Sequence, residues 1–342
     1  MVVDPILTDE EKEHFLNNGW VKIPQAFTRD QAADFTRDVW TRLGMSPTDK
    51  TTWHTPRTNM PSHRSVDAGS FAPRAWAAAC ELLGGEGRVH PSSRAWRDSL
   101  IVNLGSPARE GRPDPPRALW GWHVDGDFFV HYLDSPEQAL LVVPLFSDIP
   151  AGGGAGGTAV YPRGMREIAR HLYEHPEGVC PRMHPRHSPG FLRSAAAASA
   201  SAAAAGGGGG GGASMFNAVG RGGAEGDYVE LCGRAGDVYL LHPLMLHSAT
   251  NNPLRNVRII TNPPVSLREP FRLDREGGRG YSLVERATLR MLGKEEDGGL
   301  KGWEITGPRE RVVPERLRVQ ERMKQDELKR LEEQRKVAAA DI

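Results

Sequence analysis

Cysteine is scarce in this sequence: three in 342 residues, at Cys80, Cys180 and Cys232. They are widely spaced and form no C-x-x-C pair. An odd, scattered set builds neither a disulfide framework nor a thiolate zinc site, and it fits a reducing compartment. An excess of charge is also missing, since Lys plus Arg and Asp plus Glu both number 43. A balanced chain offers no overall field to attract nucleic acid or an anionic membrane, so neither is expected as a partner. No apolar run approaches the roughly 20 residues of a membrane helix. The opening residues lack the basic and apolar regions of a secretion signal, and the closing Ala340-Asp341-Ile342 is no peroxisomal address. The expectation is a cytoplasmic protein, with nothing to fix its oligomeric state.

What is present changes character along the chain. Thr8 to Glu11 and Thr28 to Gln31 read as capping boxes. The first opens a helix that ends at Gly19, before a strand over Trp20 to Ile23. The second opens a helix in which Ala32, Phe35, Val39, Trp40 and Leu43 recur at helical spacing up to Gly44. An Ala-rich helix follows over Arg74 to Leu83. Short apolar runs then take over at Ser99 to Leu104, Ala139 to Phe146, Thr158 to Tyr161, Tyr228 to Leu231, Asp237 to Leu246 and Val257 to Thr261. Rich in Val, Ile and Leu and bounded by Gly and Pro, they read as strands. Many short strands after a helical opening predict a mainly β, α+β fold: a barrel or jelly roll with flanking helices. Two segments stand apart. An Ala/Ser/Gly tract at about 187–214 cannot bury enough apolar surface to offset its ordering entropy, and is expected to be an insertion in a domain spanning 1–307. Residues 308–342 are dense in Arg, Lys and Glu and suit a solvated helix without a heptad repeat.

The stretch Trp120-Gly121-Trp122-His123-Val124-Asp125 carries the chemistry. On an extended segment, residues i and i+2 share a face, so His123 and Asp125 can aim an imidazole and a carboxylate at one point. A further histidine from a distant strand completes a two-His, one-carboxylate triad, the donor set of non-haem iron(II), with three positions left open. H-x-D pairs also arise by chance, so context has to carry the reading. It comes from Gly236 to Ser248, where an apolar run leads to His242 and His247, and from Arg255-Asn256-Val257-Arg258 beyond a polar turn. A guanidinium on that return strand suits a carboxylate, which its planar fork binds through two hydrogen bonds. His242 and His247 are an odd number of residues apart and would face opposite sides of a strand, so only one of them joins His123 and Asp125. The histidines at 131, 171, 175, 184 and 187 have no spacing typical of a closed zinc site. Trp120, Trp122, Phe128 and Phe129 either line a pocket or pack in the core; Trp122 is the pocket candidate.

With these residues in place the chain resembles the phytanoyl-CoA dioxygenase family of iron(II)- and 2-oxoglutarate-dependent enzymes. The resemblance runs from the helix, Gly19-Trp20 and strand opening, through His123-x-Asp125 and the glycine-rich stretch Gly152 to Pro162, to His247 and Arg258. In that family an arginine follows the last histidine by eleven residues, the separation of His247 and Arg258. The resemblance implies a double-stranded β-helix (jelly roll, cupin-like) core. It implies iron ligation by His123, Asp125 and His247, with Arg258 on the far carboxylate of 2-oxoglutarate and O2 as oxidant. It makes Asn103 and Thr158 candidates for contacting the co-substrate; as plain residues, Asn103 can instead bond a neighbouring loop and Thr158 can be an ordinary strand residue. The chain departs from the family at Pro162-Arg163-Gly164-Met165, where Pro-Gly-Ser-His is usual, and at Ala249, where serine is common. The implied activity is oxidation of a small organic molecule, lipid-like or a secondary metabolite, by hydroxylation with release of succinate and CO2. A protein hydroxylase and a catalytically silent binding or scaffold protein are the alternatives on the same fold.

Overall fold

Thr8 and Glu11 cap the first helix reciprocally: the Thr8 hydroxyl accepts from the Glu11 amide at 3.2 Å, and the Glu11 carboxylate accepts from the Thr8 amide at 2.8 Å. In the computed structural model, which describes residues 5–191, 214–275 and 280–340, helix α1 spans Asp9–Asn18 and stops at Gly19 in the left-handed conformation. Strand β1 (Trp20–Ile23) follows directly. The second capping box starts α2 (Arg29–Thr36), and the segment expected to be one helix continues as a separate α3 (Val39–Leu43). The break falls at Asp38, whose backbone leaves helical geometry with φ −95° and ψ 0°.

The remaining elements are, in order, β2 (Arg57–Asn59), β3 (Ser65–Asp67), α4 (Ala68–Phe71), α5 (Pro73–Leu82), β4 (Ala95–Arg97), β5 (Ile101–Asn103), β6 (Leu140–Pro144), β7 (Thr158–Tyr161), α6 (Met165–Glu174), α7 (Met215–Gly220), β8 (Val229–Leu231), β9 (Val238–Leu241), β10 (Leu246–Ala249), β11 (Arg258–Ile260), β12 (Pro264–Val265), α8 (Leu283–Met291) and α9 (Arg316–Ala340). Helices and sheets are thus mixed. Most of the 187–214 tract lies outside the described residues. Among the described residues, no helix is long and apolar enough to cross a membrane.

The strands pair antiparallel into sheets of order β1-β9-β6-β12, β10-β7-β8 and β11-β5-β2, with β3-β4 as a separate pair. A bridge between Leu145 and Ile260 joins the end of β6 to β11, so the first and third sheets run on into one another. Both β6 and β9 are buried along their whole length, as continuous apolar runs covered on two faces should be. Helices α1, α5 and α8 pack together, and α5 also meets β9. The run Asp237 to Leu246, expected to be one strand, is two. Pro243 has no amide hydrogen for a ladder, and the chain turns there with the Met245 amide bonded to the His242 carbonyl at 2.9 Å. Strands β9 and β10 consequently enter different sheets, and His247 belongs to the second of them.

Candidate metal centre

His123 lies outside the named strands but pairs with His247 on β10 as an isolated antiparallel bridge. Each backbone amide donates to the other's carbonyl, at 3.0 and 2.9 Å. Residues directly opposite in an antiparallel pair project to the same face, and the two imidazoles accordingly stand with ring centroids 4.2 Å apart. Asp125 joins them from two residues on. Its Oδ1 is 3.5 Å from His123 Nε2 and 3.6 Å from His247 Nε2, and one donor atom from each of the three lies within 4.8 Å of the others. Among the described residues this is the one group of three or more His, Cys, Asp or Glu side chains with such convergence.

The hydrogen bonds behind the cluster aim it. His123 Nδ1 meets the Gly121 carbonyl at 2.7 Å and His247 Nδ1 meets the Met245 carbonyl at 2.9 Å. A carbonyl only accepts, so Nδ1 carries the hydrogen on both rings and the Nε2 lone pairs face each other and Asp125. The far oxygen of Asp125, Oδ2, accepts from Asn262 Nδ2 at 2.9 Å, which leaves Oδ1 for the centre. Burial pushes the Asp125 carboxyl up, but without a metal the hydrogen bonds and positive charge of the protonated His123 and His247 rings outweigh it and hold the group well below the usual carboxylate range; a bound cation would take the place of those protons. Three donors with two neutral nitrogens and one anionic oxygen, each steadied from behind, suit a divalent first-row metal.

Arg258 lies on the neighbouring strand system. It is 1% exposed, and its Nη2 donates to Thr158 Oγ1 on β7 at 2.8 Å. Its Nε and Nη1 are buried with no hydrogen-bond partner among the described residues. Burial, and then the charge of Arg57, push its pKa down to about 9. A buried guanidinium with donors unmet is costly to maintain unless an anion comes to it. Thr158 therefore orients Arg258.

Asn103 spends its side chain on the protein: Nδ2 donates to the Gly156 and Thr250 carbonyls at 3.1 and 3.0 Å, and Oδ1 accepts from the Gly105 amide at 3.2 Å. It braces the glycine-rich turn. Gly156 has φ +71°, and a Cβ there would lie 2.7 Å from Asn103 Nδ2, so a side chain at 156 would displace the brace. Trp122 precedes His123 on extended chain and faces the other way. It is 2% exposed, lies against Gly220, and has Tyr161 and Tyr228 as ring neighbours. Trp122 belongs to the buried hydrophobic core. His242 is fully buried away from the cluster, bonded to Thr288.

Two residues at the site carry no sequence signal that singled them out. Asn262 follows β11 in a polar Thr-Asn-Pro turn. Arg57 sits on β2 in register with Asn103, which on its other side is in register with Arg258. Arg57, Asn103 and Arg258 thus form one row across the sheet and share a face. The charge of Arg57 is felt at both Arg258 and His123.

No protein-family profile matches the sequence, and no curated protein is significantly similar to it. Solved structures do align. HygX from Streptomyces hygroscopicus with nickel and 2-oxoglutarate bound is 13% identical, over 76% of this chain and 87% of that one, with a TM-score of 0.39. EvdO2 from Micromonospora carbonacea var. aurantiaca is 15% identical, over 79% and 97%, at 0.39. SnoK, a non-haem alpha-ketoglutarate-dependent carbocyclase from nogalamycin biosynthesis, is 17% identical, over 76% and 84%, at 0.40. Likeness this distant carries no argument about chemistry, which rests on the side chains of this chain.

Proposed function

We propose that the protein is an iron(II)- and 2-oxoglutarate-dependent oxygenase that oxidises a small organic molecule, and that its sheets are the two halves of a double-stranded β-helix. The observation that carries this reading is the pairing of an aimed His123–Asp125–His247 cluster with Arg258, a buried guanidinium that has two unmet donors. A metal triad alone serves many reactions. A triad with an unmet guanidinium on the adjoining strands fits a co-substrate that chelates metal at one end and carries a carboxylate at the other.

The residue roles follow from position. The Nε2 atoms of His123 and His247 and Oδ1 of Asp125 would hold iron on one face, a donor set that leaves positions open for a co-substrate. Arg258 would bind the distal carboxylate of 2-oxoglutarate, with Thr158 fixing the guanidinium plane, while Arg57 adds positive charge on the same face. Asn103 keeps the glycine-rich turn in place behind them. With iron and 2-oxoglutarate bound, O2 would be the oxidant, taking two electrons from 2-oxoglutarate, which would leave as succinate and CO2, and two from the substrate as it is hydroxylated. Asp125 keeps a carboxylate in the ligand set, in line with hydroxylation.

Binding of 2-oxoglutarate by isothermal calorimetry, with iron(II) under argon or with cobalt(II), tests the reading. Metal-dependent binding that Arg258→Ala abolishes is expected. A folded protein that takes up metal and ignores 2-oxoglutarate would instead favour the binding or scaffold alternative.

A further inference from the structure

The segment that follows Asp125 is held down by the C-terminal part of the chain, and the contacts are specific. The Val130 amide donates to the Glu310 carbonyl at 2.9 Å and the Val312 amide to the Phe128 carbonyl at 2.8 Å, so residues 310–312 add a short strand to 128–130. Arg309 pairs with Asp134 at 2.7 Å. At the first residue of α9, Arg316 embraces Asp127 with two bonds, Nε to Oδ2 at 2.5 Å and Nη2 to Oδ1 at 2.8 Å. Asp127 is two residues from the ligand Asp125, and Arg316 is close enough to feel the charge of Asp125 itself.

The turn between the two aspartates is tight. Gly126 has φ +121°, and a Cβ there would lie 2.6 Å from the Phe129 ring and 2.7 Å from the His131 ring. His131 Nε2 meets the Gly126 carbonyl at 2.7 Å. The turn therefore has one brace from its own loop, His131, and one from a distant part of the chain, Arg316.

Helix α9 is in turn anchored. Glu327, 2% exposed, bonds Arg42 Nε at 2.8 Å and His63 Nε2 at 2.7 Å, and Arg42 Nη1 meets Asp98 at 2.9 Å. Arg330 Nη1 donates to the Arg42 carbonyl at 2.5 Å. A carboxylate buried among partners is held far more firmly than an exposed pair. Arg316 is thus the end of a fixed strut rather than a loose surface arginine.

We infer that Arg316 is a positioning residue of the metal site: through its two-bond clamp on Asp127 it sets the turn that aims the Asp125 carboxylate, so the C-terminal arm is a working part of the centre. The inference rests on the metal-binding reading of the triad. Partners that orient a ligand without touching the metal influence affinity strongly, and their loss costs about ten-fold or more.

The test is anaerobic cobalt(II) titration of the full apo chain, followed by the visible d–d absorption, with thermal unfolding by circular dichroism alongside. Arg316→Ala and Asp127→Ala should each weaken cobalt binding about ten-fold and alter the band while the fold persists. The double variant should be no weaker than either single one, because both remove the same clamp. Arg316→Lys, which keeps the charge and loses the two-bond geometry, should fall between, and Arg318→Ala on the exposed side of α9 should match the wild type. Wild-type affinity and band in Arg316→Ala, or losses that multiply in the double variant, would overturn the role of Arg316 alone. Cobalt binding by the wild type that survives loss of His123 and His247 would overturn the metal site and this role with it.

Discussion

Arg258 on β11 and Thr158 on β7 belong to different sheets, yet Nη2 of the arginine donates to the threonine hydroxyl across 2.8 Å. The guanidinium spans the gap between the sheets and stays charged there with two of its nitrogens unmet. Such a group is retained at the expense of stability, in the pattern of sites shaped for a ligand.

A trade-off follows. Arg258→Met, which fills similar space without charge, should raise the unfolding free energy of the ligand-free protein by roughly 1–3 kcal/mol and abolish 2-oxoglutarate binding. Urea denaturation and calorimetry on the same samples check both halves. A variant that is both less stable and still able to bind would show that Arg258 serves the fold and not a carboxylate ligand.

Thr158 acts through its oxygen. Thr158→Val should weaken 2-oxoglutarate binding about ten-fold, the scale of one lost bond to a charged group, while Thr158→Ser should stay close to wild type. Equal losses in the two variants would point to packing instead of orientation.

Asn262 holds Asp125 from behind at 2.9 Å. Asn262→Ala should weaken metal binding by roughly 10- to 100-fold with little change in melting temperature, read by competition with a chromophoric chelator. Unchanged affinity would remove Asn262 from the site.

His242 supplies a pH signature of the fold. It is fully buried, its Nδ1 accepts from the Leu244 amide at 3.1 Å, and its Nε2 faces Thr288 at 2.9 Å. Burial pushes its pKa down to about 3, so it is neutral in the fold and titrates normally when unfolded. Between the unfolded value near 6.5 and the folded value, the unfolded chain binds the extra proton. Stability therefore falls as pH drops below about 6.5, by roughly 2 kcal/mol at pH 5. His242→Asn should be less stable at pH 7 and flatter between pH 7 and 5 in denaturant melts. An unchanged slope would mean that another group governs acid sensitivity.

The His123–Asp125–His247 cluster was legible because His123 and Asp125 stand at i and i+2 on an extended segment, and because the family resemblance puts eleven residues between the last histidine and the arginine, which selects His247 before Arg258. Thr158 and Asn103 were visible only as polar residues near turns, and their partners come from distant segments. Arg57, Asn262 and Arg316 were not legible, because each depends on register between segments far apart in sequence, and arginine or asparagine in polar stretches is ordinary. Helix starts followed their capping boxes closely. The division of Asp237 to Leu246 was missed although Pro243 marks it: a residue without an amide hydrogen interrupts the ladder, and the two halves then pair in different sheets. The charged C-terminal residues read as a solvated helix, yet one of their many glutamates, Glu327, is buried against Arg42 and His63. Composition cannot tell which glutamate that is.

Whether iron and 2-oxoglutarate share this centre is read by adding iron(II) and 2-oxoglutarate to the apo-protein under argon and recording the visible spectrum, with His123→Ala and Arg258→Ala in parallel. A weak metal-to-ligand charge-transfer band should develop in the wild type and be absent from His123→Ala and, because 2-oxoglutarate no longer binds, from Arg258→Ala. A folded, iron-loaded wild type that develops no such band would rule out 2-oxoglutarate at this centre.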